Sequence, residues 1–279
     1  MNNDKQIPKG SITVVPFFKN EWRFQFSRLD ERVTDMFYDA LDDLDAGEVR
    51  QAETSLRLLL DGYPEFIDAH HHLAVILDET RRHKEARQRW EMALRIGRNA
   101  FPKTFKHGRH RLPWGVLENR PFLRVCQSWA IKMLEEKRIP DALAMCEDML
   151  SMNPNDNQGM RAVAIDCYFR LRQPTNVLGL CKHYPDDAME EVLYGLPLAL
   201  FQLGREEEAH SALRTAVELL PNVSKELLKK THRPPKNLNQ EFVTQGGADQ
   251  AYFYWKYNGG HWANTKGALQ LLASITRKR

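Results

Sequence analysis

Residues 47–64 read GEVRQAETSLRLLLDGYP, and residues 81–97 read RRHKEARQRWEMALRIG. Laid over one another, Ala52, Leu56 and Leu59 recur 34 residues later as Ala86, Trp90 and Ala93. A third copy, GREEEAHSALRTAVELLP at 204–221, sets Ala209, Leu213 and Ala216 at the same offsets. Spacing of i, i+4, i+7 places three side chains on one face of a helix, and Pro64 and Pro221 end the helices that carry them. A fixed period of this length marks a helical-repeat architecture, in which each unit buries its apolar face only against its neighbours.

Working outward, each of these helices has a partner upstream. Ala40 precedes Ala52 by twelve residues, as Ala74 precedes Ala86 and Ala130 precedes Ala142. Small side chains at both places let two helix backbones approach. The pattern resembles the tetratricopeptide repeat family, whose 34-residue unit is two antiparallel helices crossing at small eighth and twentieth residues. The resemblance implies an all-α, right-handed superhelix of about five helix pairs, with units at 33–66, 67–100, 123–156, 157–189 and 190–223. The fourth unit has Ala164, but Asn176 stands where its second small residue belongs, and its second helix fits between Pro174 and Pro185. In the fifth, Pro197 falls in mid-helix and predicts a kink or an opened hydrogen-bond ladder.

The same register predicts domains. Residues 1–32, with SITVVPFFKNEWRFQF, are too apolar to stand in water and read as an arm packed on the first repeat, or as a partner-binding or dimer-forming segment. Repeats one and two cover 33–100, an insertion covers 101–122, and repeats three to five cover 123–223. Residues 224–279 read as C-terminal capping helices around Gly259-Gly260, with Tyr252, Trp255, Trp262, Leu269 and Leu272 sealing the last repeat. The run from PWGVLENRPFLR (113–124) through NPNDNQGMR (153–161) to the aromatic C-terminal segment is similar to a widespread group of tetratricopeptide-repeat proteins. No reaction carries over from that group.

Composition excludes several function classes. With 40 Lys and Arg against 37 Asp and Glu, the net charge of +3 is not that of a dedicated nucleic-acid binder. No apolar run reaches the roughly 20 residues of a membrane span, and the start, MNNDKQIPKGS, is not a secretory signal. A cytoplasmic location is the expectation. Cys126, Cys146, Cys167 and Cys181 form no CxxC pair and read as buried thiols. His70, His71 and His72 are consecutive, so a helix splays them about 100° apart and they cannot converge on one metal. Phosphate-loop, nucleophile-elbow and HExxH motifs are missing. No cofactor, no metal and no catalytic residue is expected, so the chain reads as a non-enzymatic scaffold or adaptor. A nucleic-acid-associated repeat protein and a small-molecule enzyme remain the alternatives.

The resemblance also implies where a partner docks, because first-helix positions two, five, nine and twelve line the family's concave groove. Here these include Asp68, His71, Arg124, Gln127, Gln158, Arg161, Tyr168, Glu191 and Tyr194. Arg124 and Arg161 offer planar donor forks that suit a carboxylate, so the expected partner is a protein or peptide with an acidic segment or C-terminal carboxylate. Phe37 and Leu41 replace polar members of the family's carboxylate clamp, which argues against chaperone tails. The 101–122 insertion has two readings. Trp114, Val116 and Leu117 suit a structural joint over an exposed seam, with Asn119 as helix cap. Lys103, Lys106, Arg109, Arg111 and Arg120 form a basic patch suited to an acidic partner, more than to duplex nucleic acid.

Overall fold

The computed structural model describes residues 12–27, 29–236, 238 and 242–277, so the start of the chain lies outside the described residues. They form one β-hairpin and thirteen α-helices, which fall into two compact units, 1–160 and 161–279.

In the first unit, β1 (Ile12–Phe18) pairs antiparallel with β2 (Glu21–Phe26). Alternation puts Val14, Trp22 and Phe24 on one buried face of the hairpin. Six helices follow: α1 (Glu31–Asp45), α2 (Val49–Gly62), α3 (Ile67–Glu79), α4 (His83–Asn99), α5 (Arg120–Glu135) and α6 (Ile139–Met152). Asp30 caps α1, its carboxylate accepting from the Val33 amide at 3.0 Å. Ala40, Ala52, Ala74, Ala86, Ala130 and Ala142 have no exposed surface, as helix crossings at these positions require.

The second unit holds α7 (Met160–Arg170), α8 (Pro174–His183), α9 (Glu190–Gln202), α10 (Glu206–Leu219), α11 (Pro221–Leu227), α12 (Ala248–Asn264) and α13 (Ala268–Thr276). Ala164 and Ala209 are again fully buried. Asn176 is exposed and bonds Gln173, while Val177 beside it is buried, so the inward position of short α8 is shifted by one residue. The helix α9 runs on through buried Pro197, which forfeits one ladder bond rather than ending the helix.

The helix pairs are closed by one kind of turn. Two residues past α1, α3, α5, α7 and α9 stand Gly47, Arg81, Lys137, Arg172 and Gly204, all at φ between 58° and 81°. In each case the next amide donates back to a carbonyl in the last helical turn: Glu48 to Asp43, Arg82 to Leu77, Arg138 to Met133, Gln173 to Tyr168 and Arg205 to Leu200, at 2.7–3.0 Å. This is the Schellman arrangement, which satisfies helix-end carbonyls. Where Arg or Lys holds the left-handed position, the chain carries a cost of about 1 kcal/mol that Gly would avoid.

A turn at Gly259-Gly260 does not form. Helix α12 continues through both glycines to Asn264, and the break comes at Gly267, with φ 90°. Two interior glycines cost a helix about 1 kcal/mol each. Burial of Tyr254 and Trp262, 2% and 1% exposed, outweighs that cost.

Candidate functional site

Within residues 101–122 the buried polar contacts centre on Asn119 rather than on Trp114. Asn119 has no exposed surface. Its side-chain oxygen accepts from the Phe24 amide at 3.0 Å, and its amide nitrogen donates to the Trp22 and Pro113 carbonyls at 3.1 and 3.2 Å. It therefore ties the hairpin to the insertion and makes no side-chain cap bond to α5. The Val14 amide donates to the Ala100 carbonyl, Trp22 to Arg111, and Arg111 to Asn20, at 2.8–2.9 Å. Leu112, also fully buried, donates to the Met152 carbonyl at 2.8 Å. Rings fill the space between: Phe24 meets Phe101 at 5.7 Å and Phe122 at 5.2 Å, and Trp22 stacks on His110 at 5.0 Å. The hairpin thus spends its apolar face on the insertion. Trp114 is only half-buried, under the Arg120 guanidinium at 5.1 Å, and Leu117 is 64% exposed.

Beside this joint the first unit leaves a cleft of about 500 Å³. The strand β2 forms one wall through Phe24 and Phe26, α1 and the start of α3 add Phe37, Phe66 and Asp68, and the start of α5 adds Arg120 and Arg124. Tyr38, 57% exposed, and Leu117 also line it. Most of its charges are matched: Arg124 is ion-paired with buried Asp68, and Arg23 lies 3.5 Å from Glu118. Arg120 donates from Nε to the Trp114 carbonyl at 3.0 Å and has no carboxylate partner among the described residues.

The other expected groove residues of this unit are engaged internally. Gln158 donates to Gln127 at 2.9 Å and to the Leu123 carbonyl at 3.2 Å, and Gln127 donates to the Gln158 carbonyl. His71 is 8% exposed and His70 3%. Burial pushes the His70 imidazole down to about 4; burial, with the charges of His72 and Arg124 added, pushes His71 to about 3. Both rings are neutral at physiological pH. Among the described residues no cluster of His, Cys, Asp and Glu is arranged to hold a metal.

In the second unit the expected groove is covered by the chain itself. Tyr194 has no exposed surface; its hydroxyl donates to the Leu220 carbonyl at 2.8 Å, and its ring meets Tyr254 and Trp262 of α12 at 5.6 and 6.1 Å. It cannot meet a partner, so its place among the docking residues is corrected. Tyr168 is 8% exposed, and Arg161 is ion-paired with Asp187 and stands over Tyr184. Burial, then the neighbouring Glu190 charge, raises the Glu191 carboxyl above the usual range. Helix α12 holds this face at further points: Gln250 donates to Glu190 at 2.6 Å, and His261 Nε2 lies 2.6 Å from Asp166. Just past α12, Thr265 accepts from Gln202 at 2.8 Å.

The basic patch divides. Lys103, Lys106, Arg109 and Arg111 are exposed in the first half of the insertion and form no ion pair among the described residues, whereas Arg120 lines the cleft. Sequence reasoning missed the neighbour of the four. The hairpin tip exposes Phe17 and Phe18 at 50% and 59%, where a packed arm was expected.

Successive helix pairs, three of them with alanines at both crossing positions, define a tetratricopeptide-type helical-repeat fold. Two solved structures share the fold: a tetratricopeptide repeat protein from Parabacteroides merdae (14% identity, TM-score 0.51, 89% of this chain and 87% of that one) and the MamA RS-1 ArsTM double mutant (12% identity, TM-score 0.52, 68% and 95%). The profile described as transcriptional repressor TCF25 matches residues 22–265, and the chain belongs to that family. The match takes in β2, the joint, the helix pairs and α12. A comparison with curated proteins gives no match. No helix among the described residues is long and apolar enough to cross a membrane.

Proposed function

We propose that the chain is a non-catalytic protein-interaction scaffold whose docking surface is the cleft of the first unit, and that its partner is a protein acting in transcriptional repression. The cleft carries this reading. It combines apolar side chains that reach solvent (Phe26, Tyr38, Leu117) with one guanidinium, Arg120, that lacks a carboxylate partner among the described residues. Such a pocket suits a short segment with an apolar or aromatic anchor next to a carboxylate. Arg124 supports the wall and is not the clamp, since Asp68 already neutralises it. Likewise, the pairing of Arg161 with Asp187 and the cover given by α12 disfavour docking on the inner face of the second unit.

A peptide-display selection on the full chain tests this. The selected peptides should pair an aromatic or aliphatic residue with Asp or Glu. Their binding should fall at least about tenfold with Tyr38→Ala and with Arg120→Glu, since a charge-assisted bond contributes about 1.5–3 kcal/mol. Arg161→Gln should leave it unchanged. Peptides without a carboxylate, or binding indifferent to both cleft substitutions, would remove the cleft from the function.

A further inference from the structure

We propose that the hairpin tip and the adjoining loop form a second binding site, for single-stranded nucleic acid. Two short segments meet there. The Arg111 amide donates to the Asn20 carbonyl at 2.9 Å, and the Asn20 side chain donates to the Arg109 carbonyl at 3.3 Å. The Lys106 amide donates to His110, whose ring stacks on Trp22 of the hairpin. The aromatic cluster beneath fixes both segments, so the surface is rigidly based although it is made of a turn and a loop.

Five exposed cations stand on this surface: Lys19, Lys103, Lys106, Arg109 and Arg111. None forms an ion pair among the described residues. Glu118 is taken by Arg23 and Asp148 by His107, and Glu21 stands beside Arg111. The whole-chain charge of +3 hides this local excess. Charge alone would suit any polyanion; the exposed rings of Phe17 and Phe18 narrow the choice. A single strand brings phosphates for the cations and free base faces for the rings, whereas a purely acidic peptide leaves the rings unmatched. An anionic membrane fits less well. Arg23 stands over the Phe17 ring and Lys19 over the Phe18 ring, each at 5.2 Å, so burying either ring in hydrocarbon would drag a cation with it. One covered ring face still leaves the other for a base.

Fluorescence anisotropy with a labelled, unstructured RNA of about 12 nucleotides, its DNA counterpart, a polyglutamate peptide and phosphatidylserine vesicles reads the occupant directly. The expected result is binding of the nucleic acids over the other two, with a slope of log K against log salt of roughly −3.5 for five phosphate contacts. The RNA and DNA arms then show whether the 2′-hydroxyl is read. Changing Lys103, Lys106, Arg109 and Arg111 together to Gln should reduce the slope to roughly −0.7. Phe17→Ala with Phe18→Ala should weaken binding about 5- to 100-fold at nearly the same slope, as lost stacking does. All six side chains are exposed, so melting temperatures should hold and serve as the folding control. No binding to either nucleic acid, a slope that ignores the four cations, or tighter binding of polyglutamate or vesicles would overturn the site.

Discussion

Asn119 satisfies the buried Phe24 amide and Trp22 carbonyl, and the part-buried Pro113 carbonyl. Asn119→Ala removes all three partners at once and should destabilise the first unit by about 2–4 kcal/mol, since each orphaned buried group costs about 1–3 and some relaxation is expected. Asn119→Asp should be nearly as harmful, because a carboxylate cannot donate to the Trp22 and Pro113 carbonyls. Thermal melts measure both; an unchanged melt would show that the hairpin is held by its rings alone. Gly97 presents a contest of magnitudes. In an exposed helix, Gly→Ala gains about 1 kcal/mol. Here an added Cβ would lie 2.2 Å from the Phe122 ring, which Phe24 and Phe101 hold in place. Overpacking of this kind costs about 1–3 kcal/mol or more, so Gly97→Ala should destabilise. A gain in melting temperature would mean that the ring has room to move.

At the scale of elements, the helix pairs were legible because their pattern is local: spacing gave the faces, and alanines gave the crossings. The hairpin was less so. Val14, Trp22 and Phe24 alternate as a strand should, yet their partners Phe101, Phe105 and Asn119 lie more than seventy residues away, and nothing local announces them. The stretch 112–124 drew attention through Trp114, the largest residue, while the buried polar contact fell to an asparagine that read as an ordinary cap. Gly259-Gly260 misled for a related reason. Glycine pairs favour turns, but the Trp255 indole lies where a Gly259 side chain would go, within 2.7 Å, and neighbouring burial keeps the helix intact. If α12 is held through its rings, Trp262→Ala should cost the second unit about 3–5 kcal/mol, as for large core aromatics. It should also raise amide hydrogen exchange along α9. Loss of the Trp262 contact without change in α9 would mean that α12 covers the face without supporting it.

For the whole molecule, sequence showed the repeat class, while the cover that α12 gives to one face of the second unit was not legible in it. Register alone gave both units equivalent inner-face residues, because it cannot report that a distant helix such as α12 lies over one of them. Arg124 and Arg161 looked alike in sequence, and each has an internal carboxylate, Asp68 and Asp187. What distinguishes the cleft is Arg120, which register assigned to the basic patch of the insertion. The central claim is that a protein partner docks in that cleft and leaves the inner face of the second unit covered. Hydrogen–deuterium exchange of the full chain, with and without a saturating selected peptide, tests it most directly. The account predicts slowed exchange at 23–26, 34–38, 66–68 and 117–124, with α7, α9 and α12 unchanged. Protection confined to α7 and α9, with faster exchange in α12, would contradict it.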